Sequence, residues 1–136
     1  MSDRKAFSVS AYVREGNQIL LVNHVKQKAW VPIGGEIEEG ETPLQALERE
    51  VLEEIGWQRG QDYLLPVVPL SPDGFLAYEE HEAGPKGYHM NFCFLLLAKH
   101  RNIVPCNEFT EAAWVSGHPV DCLPNVRLLL HKALAF

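Results

Sequence analysis

No stretch of this 136-residue chain comes near the roughly 20 apolar residues that a membrane-spanning helix requires. The first ten residues, MSDRKAFSVS, hold no apolar core followed by small residues, so a secretory leader is not expected. Cysteine is scarce. Cys93, Cys106 and Cys122 are odd in number and widely spaced, which argues against both a disulfide framework and a cysteine-based zinc site. Basic residues are also few, 12 against 18 acidic ones, and the net charge of −6 argues against a nucleic-acid polymer as partner. That charge leaves room for a small phosphorylated ligand, provided metal cations stand between it and an acidic pocket. Internal repeats, linkers and low-complexity segments are missing as well. What remains is 46% hydrophobic and 22% charged, the balance of one domain over residues 1–136 with a real core, at home in a reducing cytoplasm.

Residues 7–14 alternate, with Phe7, Val9, Ala11 and Val13 on one side and Ser8, Ser10, Tyr12 and Arg14 on the other, which predicts a half-buried strand. Glu15-Gly16-Asn17 supplies a turn, and Ile19–Asn23 is a second apolar run, so a hairpin is expected. Trp30-Val31-Pro32-Ile33 ends in Gly34-Gly35, a pair that lets a backbone take up unusual conformations and a ligand approach closely. Further on, Tyr63–Leu70 reads as a strand interrupted by Pro66 and Pro69, Phe75–Glu79 as a short strand, and Glu80–Gly87 as a polar loop. Tyr88–Lys99 is the most apolar run and predicts a central strand. A loop over Arg101–Thr110, a strand over Glu111–Val115 and a helix over Pro124–Phe136 follow, the helix with Val126, Leu129, Leu130 and Ala133 inward. Strands mixed with two helices imply an α/β/α sandwich, a mixed sheet covered by helices.

The most informative stretch is GEIEEGETPLQALEREVLEEIGW, residues 35–57. Thr42 is placed to cap a helix, Pro43 suits its first position, Gln45 completes a capping box and Gly56 stops it. Leu44, Leu47, Val51 and Ile55 form one apolar stripe. Glu50, Glu53 and Glu54 fall in a separate sector of about 100°. Like charges at these spacings repel, and the helix dipole disfavours them near a C-terminus, so something positive is expected between them. Hard cations such as Mg²⁺ or Mn²⁺ take oxygen ligands of this kind together with phosphates and water. The chemistry that follows is metal-assisted hydrolysis of a phosphate ester or anhydride, with a free carboxylate taking the proton from water.

These residues resemble the Nudix box, the defining motif of the Nudix hydrolases: Gly35, five residues, Glu41, seven residues, then Arg49-Glu50-Val51-Leu52-Glu53-Glu54-Ile55-Gly56. Every fixed Gly, Glu and Arg position agrees. Two departures stand out: Trp57 takes the final place usually held by an aliphatic residue, and Pro32-Ile33-Gly34-Gly35 replaces the Pro-Gly-Gly of many relatives. The resemblance implies a Nudix α/β/α sandwich over the whole chain and cleavage of a nucleoside diphosphate linked to another moiety, by water attack on phosphorus. It implies that Glu50, Glu53 and Glu54 bind Mg²⁺ or Mn²⁺, with a Gly34 or Gly35 carbonyl as a further ligand. Glu41 and Arg49 would orient those carboxylates. The general base varies among such proteins; Glu50, Glu53 or the loop residue Glu108 could serve here, ahead of Glu79, Glu80 and Glu82, which read as a solvated loop. A homodimer is common in the family, though nothing in the sequence points to one.

Substrate contacts are less defined. Lys26, Lys28, Lys86 and Arg101 are candidate phosphate anchors, and Phe75, Tyr78, Tyr88 and His89 are candidates to stack on or edge a base. Asn125 opens the last helix and reads best as its N-cap, although in MutT-type relatives an Asn in a comparable place reads a purine edge. Two rival readings stay open. A catalytically silent, nucleotide-binding Nudix-like sensor is disfavoured by the intact set of Glu41, Arg49, Glu50, Glu53 and Glu54. An isomerase of the prenyl-diphosphate type would need a nucleophilic cysteine near the substrate, a place the sequence does not assign to Cys93 or Cys106.

Overall fold

The computed structural model describes residues 3–24, 29–68, 71–117 and 122–136, and for His24 the backbone alone. Its centre is β1 (Lys5–Glu15), which runs parallel to β7 (Tyr88–Ala98) from Lys5 opposite Tyr88 to Arg14 opposite Leu97. On its other edge β1 splits its partners. Its first half pairs antiparallel with β4 (Ile33–Glu36) and its end with β2 (Gln18–His24), across the turn read from Gly16. Because β2 peels away, it goes on to pair with β3 (Trp30–Val31) and β8 (Phe109–Val115). β5 (Tyr63–Leu64) and β6 (Phe75–Glu82) share the far edge of β7.

The helices α1 (Pro43–Ile55) and α2 (Pro124–Leu134) cover opposite faces of this mixed sheet, so the fold is an α/β/α sandwich. Two apolar clusters follow from the alternation of β1. Val9, Ala11 and Val13 pack under α1 against Leu47, Val51 and Ile55, while Tyr12 packs under α2 with Cys93, Leu95, Val126, Leu129 and Leu130. β1 is therefore buried on both faces and not half-buried: Tyr12 is 1% exposed because α2 closes its side of the sheet, and Ser8 is 3% exposed and bonded to Asn91 of β7.

Thr42 caps α1 through its side chain to the Gln45 N–H, the reciprocal Gln45 bond is present, and Gly56 ends the helix at φ 73°, in the left-handed region that favours glycine. Trp57 is 2% exposed, and its indole N–H donates to the Asn102 carbonyl at 2.7 Å. An aliphatic residue there could fill space but not satisfy that carbonyl. Several strand boundaries differ from expectation; β8 begins at Phe109 and takes up the end of the expected loop. β5 stops at Leu64, before Pro66, and Pro69 and Leu70 lie outside the described residues. β6 runs on to Glu82 because β7 offers ladder partners as far as Tyr88, opposite Glu82; Glu79, Glu80 and Glu82 are strand residues, not a loop.

Candidate active site

A cleft of about 1150 Å³ opens where β1 begins and β4 ends, between the acidic side of α1 and the first turn of α2. Its organising residue on α1 is Arg49. The guanidinium grips Glu41 with two parallel bonds, Nε to Oε2 at 2.6 Å and Nη2 to Oε1 at 2.9 Å. It also donates from Nη1 to Glu50 Oε1 at 2.8 Å and from Nη2 to the Glu36 carbonyl at 3.0 Å. Charged, forked bonds of this kind fix geometry as well as adding energy. The Arg49 side chain and a Glu38 N–H hold the Glu41 carboxyl below its ordinary value.

Glu54 is the most buried of the three carboxylates on α1, at 4% exposed. It accepts the Gly34 N–H at 3.0 Å and lies in hydrogen-bond contact with Glu50. Burial, first, and the Glu50 carboxylate, second, push its carboxyl up to about 9, with Glu108 adding to the effect. Glu53 turns outward: its side chain is 59% exposed and meets Arg49 Nη1 at 3.3 Å. Among the described residues, no three carboxylate, imidazole or thiol side chains converge on one point as they stand. Glu50 and Glu54 form a facing pair, and Glu53 lines the same cleft beside them.

The two glycines of β4 matter for space. A Cβ on Gly35 would lie 2.4 Å from Glu50 Oε1, and one on Gly34 would lie 2.1 Å from the Val9 carbonyl oxygen. Glycine lets the strand pass directly beneath the carboxylates, so the requirement comes from the protein's own packing, not from a ligand.

Glu108, from the loop before β8, lines the same cleft as Glu50, Glu53 and Glu54. So do Lys86 and His89; the imidazole of His89 faces Glu36 Oε2 at 3.0 Å, and Arg4 grips the same carboxylate at 2.5 Å. Arg4 and then His89 hold the Glu36 carboxyl down at about 2, against the opposing effect of burial. Lys26 and Lys28 lie outside the described residues. Tyr88, Phe75 and Tyr78 do not line the cleft; Phe75 and Tyr78 instead pack against Phe92. Arg101 is also elsewhere, bound to Glu15 Oε1 at 2.5 Å and lying over Trp114.

Asn125 is not the cap of α2. Leu123 takes that position without a side-chain bond, Pro124 opens the helix, and Asn125 one residue on reaches across the cleft wall to Glu79 Oε1 at 3.3 Å. Asn91 is a site residue that the sequence reading passed over. It is 3% exposed, accepts from Ser8 Oγ at 2.8 Å, and donates to Ser10 Oγ at 2.9 Å and Glu79 Oε2 at 2.8 Å. Its signal was available, since an amide in the most apolar strand must find buried partners. No cysteine lines the cleft among the described residues; burial pushes all three thiols up, Cys93 most of all. That is the reverse of what a nucleophilic thiolate needs.

A family model described as NUDIX domain matches residues 4–128. Over 48 residues, 34% of the chain, the sequence is 52% identical to the NAD-capped RNA hydrolase NudC of Pasteurella multocida, a protein of which the match covers only 18%. Among solved structures, a NUDIX-family hydrolase from Clostridium perfringens superposes with a TM-score of 0.79 at 23% identity, covering 96% of both chains. A C. elegans Ap4A hydrolase superposes with a TM-score of 0.76 at 17% identity, again over 96% of both. At these identities the structural likeness speaks for the fold. With the family model spanning nearly the whole chain and the box residues gathered at one cleft, this chain belongs to the NUDIX family.

Proposed function

We propose that this chain is a pyrophosphohydrolase that cleaves a phosphoanhydride bond in a nucleoside diphosphate linked to another moiety. In this reading Mg²⁺ or Mn²⁺ is held by Glu50, Glu53 and Glu54, with a Gly34 or Gly35 carbonyl as a further ligand. The observation that carries the reading is the Glu50–Glu54 pair: two carboxyl groups in contact, one of them almost fully buried, with Arg49 bound to Glu50 alone of the two among the described residues. All-oxygen donors whose second negative charge is held back by burial and by the neighbouring Glu50 suit a hard divalent cation. When bound, such a cation offsets phosphate charge and makes water more acidic.

The chain's own residues supply the rest. Arg49 holds Glu50 in place, Glu41 holds Arg49, and the Gly34 N–H holds Glu54. Glu53 and Glu108 line the cleft outside the facing pair, so the carboxylate that takes the proton of the attacking water is drawn from these two. Lys86 and Arg4 stand at the same cleft as anchors for a phosphate chain. The substrate is a small nucleotide, in keeping with the net charge of −6, which disfavours a polymer. Three free cysteines fit a reducing cytoplasm, and no helix among the described residues is long and apolar enough to cross a membrane.

The test is a phosphate-release screen over nucleoside triphosphates, nucleotide sugars, ADP-ribose and dinucleoside polyphosphates, with and without Mg²⁺ or Mn²⁺. Turnover should require the cation, and Glu53→Gln should lower it by about a hundredfold or more. Unchanged turnover in Glu53→Gln would remove the metal assignment. Nucleotide binding without hydrolysis of any compound would replace the enzyme with a silent, nucleotide-binding domain.

A further inference from the structure

The loop between β7 and β8 is strapped to the end of α1. From Asn102 to Cys106 it runs back along the last residues of the helix, antiparallel to them, and fastens at alternate positions. The Asn102 carbonyl accepts the Trp57 indole N–H at 2.7 Å. The Val104 N–H donates to the Ile55 carbonyl, and the Cys106 N–H to the Glu54 carbonyl, each at 2.9 Å. The last carbonyls of a helix have no partner within it, so the strap takes up two acceptors that α1 leaves open. Pro105, which has no N–H, falls between the two donors, where none is needed.

The start of the strap is held on every side. Asn102 is fixed at both backbone groups, its carbonyl by Trp57 and its N–H by His100 Nδ1 at 3.0 Å. His100 sets its ring edge-on against the Trp57 indole, with centroids 4.8 Å apart, and its Nε2 lies 2.8 Å from Asp62 Oδ1. Asp62 is tied in turn to the residue after Trp57, its Oδ2 accepting the Gln58 N–H at 2.7 Å. Glu108 stands at the other end, two residues past Cys106. It lines the cleft with Glu50, Glu53 and Glu54, close enough for its charge to act on Glu54. An extended chain advances about 3.3 Å per residue, so a slip of one residue moves Glu108 by roughly the whole length of a hydrogen bond.

We propose that Trp57 is a positioning residue: its indole N–H sets the register of the strap on α1, and that register holds Glu108 where it takes the proton of the attacking water. The proposal rests on the hydrolase reading above and chooses Glu108 as proton acceptor over Glu53, whose side chain turns outward to Arg49. The proton passes to Glu108 as the water oxygen bonds to phosphorus, and the anhydride oxygen departs with the bonding pair on the leaving phosphate. The indole thereby has a role that the aliphatic residue usual at this end of the box cannot fill, since that side chain has no N–H to give.

Trp57→Phe keeps an aromatic ring and removes the donor. Amide hydrogen exchange by NMR on the cation-free full chain should show Val104 and Cys106 exchanging about fivefold faster in this variant, the worth of one neutral hydrogen bond, with Val51 inside α1 unchanged. Steady-state kinetics with Mg²⁺ then use whichever of ATP, UDP-glucose, ADP-ribose and diadenosine tetraphosphate is turned over fastest. Glu108→Gln should lower kcat about a hundredfold and Trp57→Phe about fivefold, both with KM unchanged. In the Glu108→Gln background Trp57→Phe should cost nothing further, because an acceptor already removed cannot be misplaced. A merely structural lesion would lower kcat by the same factor in both backgrounds. If circular dichroism shows Trp57→Phe to be unfolded, Val104→Pro removes the N–H to Ile55 at a side chain that is 71% exposed. It should show the same faster exchange at Cys106 and the same dependence on Glu108. Full turnover in Glu108→Gln, unchanged exchange in the strap, or equal losses of kcat in the two backgrounds would overturn the strap inference and leave the hydrolase reading standing. Failure of the wild type to hydrolyse any of the four compounds would overturn both.

Discussion

Replacing Glu54 by Gln should make the cation-free protein more stable. Gln is isosteric with a protonated Glu, can still accept the Gly34 N–H, and cannot ionise against Glu50. The sign follows from linkage. A carboxyl held at about 9 in the fold and near 4.5 when unfolded binds more protons in the folded state between those values, so stability falls as pH rises through that window. Each pH unit above 4.5 removes about 1.4 kcal/mol, which by pH 7 amounts to roughly 3–4 kcal/mol. Glu54→Gln is spared this loss and should melt roughly 10 °C higher than wild type at pH 7 in a chelator. The two proteins should converge as pH falls below 4.5, where Glu54 is protonated in both states. Mg²⁺ at a hundredfold excess over its dissociation constant should then raise the wild type by about 2.7 kcal/mol and leave Glu54→Gln nearly unmoved. Differential scanning calorimetry from pH 4.5 to 9, with and without Mg²⁺, reads all of this. A Glu54→Gln protein less stable than wild type at pH 8 in chelator would refute the reasoning.

Three further outcomes are expected. Gly35→Ala puts a methyl group 2.4 Å from Glu50 Oε1 and must displace that carboxylate, so steady-state kinetics should show kcat about a hundredfold lower, with the fold intact by circular dichroism. Arg49→Lys loses the two-pronged grip on Glu41 and should destabilise the protein by roughly 2 kcal/mol in urea unfolding, besides lowering turnover. Thr42→Ala removes the α1 cap at a residue that does not line the cleft and should cost about 1 kcal/mol of stability while leaving kcat and KM unchanged.

The features legible in the sequence were those set by near neighbours. The cap at Thr42, the proline at the first helical position, the apolar stripe and the stop at Gly56 all act within one helix, and all appear as read. The carboxylate sector was legible for the same reason. Features that depend on distant partners were harder to read. β1 alternates polar and apolar residues, yet both faces are buried because α2, more than a hundred residues later, covers Tyr12. β6 overran its expected end because its length is dictated by β7. Asn125 looked like a cap because it lies at a helix start, but the cap position falls to Leu123, and the amide finds Glu79, 46 residues away. Glu79 itself looked solvated only because its partners Asn91 and Asn125 cannot be seen from its own segment. The packing need for the glycine pair was not legible, because the groups an added Cβ would meet, the Val9 carbonyl and the Glu50 carboxylate, lie on other elements.

The central claim is that water cleaves a phosphoanhydride at the α1 carboxylates with a divalent cation present. Its most direct test is turnover of the nucleotide panel in ¹⁸O-labelled water, with products resolved by mass spectrometry. The expected products are a nucleoside phosphate and its partner fragment, with one solvent oxygen in a single product phosphoryl group, formed only when Mg²⁺ or Mn²⁺ is added and lost in Glu53→Gln. Recovery of every nucleotide intact and unlabelled, from a folded protein that binds them with the cation present, would contradict it.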